Sequence, residues 1–108
     1  MAFNPNTFNL TKAATIIEAW QQALKALRNA PERVFSLSPA TTHGRAVSLL
    51  LQFNKVRAAM RAQWPDGHQF DYIVVSKKEV GDGLWQLTFR EYVEPSFSIV
   101  DEQGEPVT

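Results

Sequence analysis

Residues 70–93, FDYIVVSKKEVGDGLWQLTFREYV, limit the possible folds more than any other stretch. Phe70 to Lys78 is rich in aromatic and β-branched residues, which favour a pleated strand. Asp82-Gly83 supplies the positive φ angles that a tight hairpin turn requires. On the return strand Trp85, Leu87 and Phe89 share one face, and Gln86, Thr88 and Arg90 share the other. That alternation predicts an antiparallel hairpin with one face covered and one open to water. The rest of the chain has to supply the cover.

Two helical stretches can do so. Ala13, Ile16, Ile17, Trp20, Leu24 and Leu27 recur at spacings of three and four, predicting a helix from about Thr11 to Arg28. Thr11 or Asn9 can cap it, and Thr15 with Glu18 has capping-box spacing for a later start. Pro31 disfavours the α conformation at Ala30 and ends it. RVFSLS then reads as a short strand, and SPATTHG as turn chemistry in which Ser38, Thr41 and Thr42 are all candidate caps. A second helix is predicted over Thr42 to Gln63. At about 100° per residue, Ala46, Leu49, Phe53, Val56 and Met60 fall in one arc. Val47, Leu51 and Ala58 form a smaller apolar patch nearly opposite. A helix apolar on two sides is suited to lie between layers, the sheet taking one side and the first helix or a partner the other.

The element order gives an α+β fold: a three-stranded antiparallel sheet with two helices on one face, in the order α-β-α-β-β. A chain of 108 residues fits one domain. Residues 1–10 read as an arm that Phe3 and Phe8 can anchor, residues 11–95 as the domain, and residues 96–108 as an acidic tail. Phe97, Ile99 and Val100 in that tail can add an edge strand. The chain contains no Cys, which removes disulfides, thiolate metal sites and Cys nucleophiles. MAFNPNTFNL has neither a basic n-region nor a long apolar core, and no run approaches the ~18 apolar residues of a membrane span. The expectation is a soluble cytoplasmic protein.

Net charge is zero but unevenly distributed. Ten of the eleven Lys and Arg residues lie in residues 1–78, with only four carboxylates. Residues 79–108 hold the other seven carboxylates against Arg90 alone. Such a split marks either a basic binding face with an acidic tail, or two halves that compensate each other on folding.

Catalytic and metal chemistry find little support. His43 and His68 are isolated, with no paired-ligand spacing, no nucleophile elbow and no zincin motif. The expectation is a non-enzyme without cofactor or metal. Anion binding has more. SPATTHGR offers hydroxyls, Gly44, Arg45 and the unpaired N–H groups of a helix start, where Thr42, His43 and Gly44 can face a phosphate. The plain alternative is a helix cap with a glycine in its first turn. Arg57 and Arg61 stand one turn apart on a helix flank, and Lys77-Lys78 precede the hairpin turn. A helix plus a basic hairpin suggests backbone-phosphate contact, as in a winged helix. The competing reading is a solvated flank whose long side chains cover the core edge. Trp20 and Trp85 read as core, and Trp64 as the partly exposed one of the three.

The run GRAVSLLLQFNKVRAAMRAQ followed by FDYIVVSKKEVGDGLWQLTF resembles small, uncharacterised phage or prophage accessory proteins over about residues 33–90. Gly44, Arg45, Arg57 and Arg61 are the residues that match, and no catalytic role comes with them. The resemblance implies a phage-encoded protein in bacterial cytoplasm that binds a host protein, a nucleic acid or a signalling nucleotide. The leading expectation is a phage-type binding protein for an anionic partner. Arg45, Arg57 and Arg61 come first, Lys77 and Lys78 second, with Thr42, His43 and Gly44 completing the site. The alternative is an interaction or inhibitor protein acting on a host factor through apolar and edge-strand contacts, with a homodimer among its forms.

Overall fold

The computed structural model describes residues 13–93 and 97–107. The expected arm and the Thr11 or Asn9 cap lie outside the described residues. Helix α1 (Ala14–Asn29) is followed by two short strands, β1 (Phe35–Ser36) and β2 (Thr41–Thr42). Helix α2 (His43–Gln63), a 3₁₀ segment (Gly67–Tyr72), and strands β3 (Ile73–Gly81) and β4 (Leu84–Glu91) complete the order.

The fold is α+β with an antiparallel sheet, and β4 is its centre. β3 lines one edge of β4, with Val75 opposite Phe89 and Ser76 opposite Thr88. β1 and β2 share the other edge, Phe35 pairing with Phe89 and Thr41 with Trp85. The sheet thus has four strands, not the three expected. The single strand expected at 33–38 is instead interrupted at Ser38–Ala40 and resumes at Thr41. Pro39 has no N–H to give a ladder, while the β-branched Thr41 and Thr42 return to pairing. The hairpin turn forms as expected, with Asp82 at φ 52 and Gly83 at φ 75.

Both helices cover the same sheet face. Phe89 of β4 lies 5.6 Å from Trp20 of α1 and 5.6 Å from Phe53 of α2, ring centre to ring centre. On the open face Thr88 is buried by its neighbours, and its hydroxyl is 2.9 Å from that of Ser76. The main stripe of α2 lies inward, with Ala46, Phe53, Val56 and Met60 buried and Leu49 packed against the core. Because α1 and the sheet share this side, the opposite patch is only partly covered: Leu51 is 56% exposed, while Val47 and Ala58 are half-buried.

The strand expected to start at Phe70 starts at Ile73. Residues 67–72 instead wind into the 3₁₀ segment, which sets Phe70 edge-on to Trp20 at 6.1 Å. Gly67 makes that approach possible: a Cβ there would lie 2.0 Å from the Met60 carbonyl oxygen. In the tail, the expected edge strand does not join the sheet. Val100 and Pro106 form an isolated bridge, and the Val107 N–H donates to the Ile99 carbonyl at 2.9 Å.

Trp20 is the fully buried centre, its Nε1 donating to the Phe53 carbonyl at 3.0 Å. The Arg57 guanidinium lies 4.9 Å from the Trp20 ring centre. It donates to the Phe70 carbonyl at 3.3 Å, to the Ile73 carbonyl, and to Asn54 Oδ1 at 3.0 Å. Arg57 thereby fastens α2 to the later part of the 3₁₀ segment and to the first residue of β3.

This packing sets the cost of four substitutions. Gly67→Ala should lower unfolding free energy by about 3 kcal/mol, since backbone on both sides must move. Gly44→Ala, where a Cβ would meet nothing within 4 Å, should be neutral or stabilise by up to ~1 kcal/mol. Chemical denaturation of both variants checks the contrast. By the same assay Arg57→Ala should cost roughly 2 kcal/mol, because it strands buried carbonyls. Arg61→Ala, which breaks one exposed ion pair, should stay within about 0.5 kcal/mol of the parent.

Candidate functional site

The start of α2 is assembled by the sheet. Thr42 pairs with Leu84 in β4 and also caps the helix, its Oγ1 accepting from the Arg45 N–H at 3.4 Å. The N–H groups of His43 and Gly44 lie at a helix end that carries partial positive charge. No acidic residue occupies the first turn.

Trp85 of β4 lies beside this helix end. The His43 ring sits 4.6 Å from it, tilted at 64°. Lys77 of β3 brings its Nζ to 4.8 Å from the Trp85 ring centre. A cation held by a ring at the surface is stabilised by ~0.5–1 kcal/mol, and both Lys77 and Trp85 are half-buried. Glu79 stands directly across from Trp85 on β3 and offsets part of the positive charge. Among the described residues, Arg45, Lys77 and Lys78 make no ion pair.

The expected site residues therefore separate into groups. His43 and Lys77 meet on Trp85, next to Thr42 and Gly44 along the chain. Arg45, two residues after His43, lies about 200° around the helix from it and is not brought to the ring. Lys78 pairs with Gln86 and lies on the opposite, open face of the sheet, since neighbours on a strand alternate. Arg57 and Arg61 lie twelve and sixteen residues along α2 from Arg45, at least ~18 Å away at 1.5 Å per residue. Both are engaged within the chain. Arg57 serves as the clamp described above. Burial lowers its pKa from the usual arginine value, and the Asp71 carboxylate partly opposes that shift. Arg61 forms an ion pair with Asp71 at 2.9 Å. With Asn54 and Ala58 these three residues line a shallow cleft of about 380 Å³. Their assignment as open anion contacts is corrected: guanidinium groups at the core edge instead find acceptors in the segment that follows α2.

Two features escaped the sequence reading. Trp85 is half-buried and carries two of the polar groups, whereas alternation alone makes it core. The second is a pair of clefts of about 330 Å³ each, both bordered by Leu24, Arg28 and Gln69. An Arg28 Nη2 to Gln69 Oε1 hydrogen bond of 2.7 Å runs between these shared walls. Nothing in the spacing of residues 28 and 69 signals their meeting. Among the described residues no group of three His, Cys, Asp or Glu could hold a metal ion, and no helix is long and apolar enough to cross a membrane.

Comparison with protein-family models, with curated proteins and with solved structures finds no match to this chain.

Proposed function

We propose that the chain is a non-enzymatic, phage-type binding protein for an anionic partner, and that it grips a phosphate group at the start of α2. The observation that carries this reading is the convergence on Trp85. His43 and Lys77 touch its ring from two different elements, beside the start of α2, whose first turn holds no acidic residue. A group of this size fits one phosphate better than an extended acidic surface. Backbone N–H groups at a helix start suit a compact anion, and Lys77 adds charge beside them. Trp85 itself holds the two side chains and offers no open ring to a base. The partner is thus recognised by its phosphate and not by its sequence. A bacterial cytoplasmic setting belongs to the same proposal.

Titration of a labelled single-stranded oligonucleotide at several salt concentrations tests the reading, with a nucleoside triphosphate in a second arm to separate polymer from free nucleotide. One phosphate contact to a single strand gives a slope of about −0.7 in log K against log salt. Lys77→Ala should weaken binding and flatten that slope, and Arg45→Ala should change it less. Arg61→Ala should bind like the parent, because that charge is already paired. Salt-independent binding, or a loss confined to Arg61→Ala, would overturn the assignment.

A further inference from the structure

The last turns of α1 and the 3₁₀ segment border a cleft of about 330 Å³. Leu27 and Arg28 follow Leu24 at spacings of three and four, so α1 turns all three to one side. Leu24, Leu27 and Ile73 make up the apolar lining, and Tyr72, 65% exposed, stands at the wall. Arg28, Gln69, His68 and Glu91 supply the polar rim. Of the two clefts that meet at Arg28 this is the more apolar, since Lys25 and Asp66 border the other.

Arg28 is a cation that is held in place but not neutralised. Its hydrogen bond among the described residues runs from Nη2 to Gln69 Oε1 at 2.7 Å, a neutral acceptor. A guanidinium has five N–H donors, so that bond fixes its direction and leaves other donors open. Among the described residues no carboxylate pairs with it. Arg61, by contrast, is paired with Asp71, and Arg57 is spent on backbone carbonyls and Asn54.

The cleft restricts what can use that cation. A carboxylate matches a guanidinium through two parallel N–H bonds. A bare inorganic anion would leave the apolar lining in water, so the ligand needs an apolar body. Tyr72 favours a ring in that body, because aromatic rings pack offset or edge-on. Glu91 borders the same cleft and opposes a second negative charge. The volume lies at the low end of the ~300–1,000 Å³ of small-molecule sites, which suits one ring with a short acid arm.

We infer that this cleft binds a small aromatic monocarboxylate, its carboxylate on Arg28 and its ring over Leu24 and Ile73 beside Tyr72. Gln69 is a positioning residue that aims the guanidinium. The site shares no residue with the start of α2 and does not rest on the phosphate reading.

Phenylacetate, titrated into the millimolar range against the isotopically labelled full chain and followed by NMR, tests the inference. Phenylacetamide serves as its neutral isostere and inorganic phosphate as the bare anion. The backbone amides of Gln69, Tyr72 and Ile73 should shift saturably with phenylacetate, which should bind about tenfold or more tighter than phenylacetamide. Phosphate should leave those signals in place. This comparison in the parent decides the charge requirement without any variant. Arg28→Gln, at an exposed position, should then erase the preference for the acid while phenylacetamide binds as before. The inference is overturned by the absence of saturable shifts at these residues, by equal binding of acid and amide in the parent, by an equal response to phosphate, or by a preference that survives Arg28→Gln.

Discussion

The indole of Trp20 is the contact on which the remaining structure depends. A buried indole needs an acceptor for its N–H, and Trp20 finds one in the Phe53 carbonyl, inside α2. That bond sets how α1 lies on α2. The three rings packed on the indole then come from α2, the 3₁₀ segment and β4. One side chain thus meets both layers and the connection between them. Arg57 closes the remaining approach, and its guanidinium can sit half-buried there because carbonyls and Asn54 accept its protons.

Much of this arrangement was legible where a residue period is long enough to read. Trp20 and Leu27 on α1, Phe53 and Met60 on α2, and Leu87 and Phe89 on β4 all fall inward as spacing predicts. Legibility fails where no period exists. A strand of two residues, such as Thr41–Thr42, cannot show alternation, and a run of Ser, Pro and Thr reads as a turn. Phe70 looks like the first residue of a strand because it is aromatic and precedes β-branched residues. It belongs to the 3₁₀ segment because the Trp20 pocket needs its ring and Gly67 lets the backbone come close to Met60.

The arginines show a different limit. From spacing, Arg57 and Arg61 are equivalent members of a flank, one turn apart. In the structure they differ in kind. Arg57 reaches inward over an aromatic ring, while Arg61 stays largely in water and meets Asp71. A flexible side chain at a core boundary takes whichever acceptors the next segment supplies, and those acceptors are set by the tertiary path of residues 67–73. The candidate site moved to the other end of α2 for this reason. There the Thr42 cap was readable, but the pairing that brings Lys77 and Trp85 alongside it depends on register.

The same helix thereby presents three different surfaces. Its inner side holds the core through Ala46, Phe53, Val56 and Met60. Its start sets His43 against the Trp85 ring, while further along its outer side Leu51 is exposed and Val47 and Ala58 are half-buried. Arg45 lies about 160° around the helix from His43 at 100° per residue, counted the shorter way. Two polar residues separated by one glycine at the helix start therefore serve different faces, and only the one that β4 meets is drawn into the cluster on Trp85.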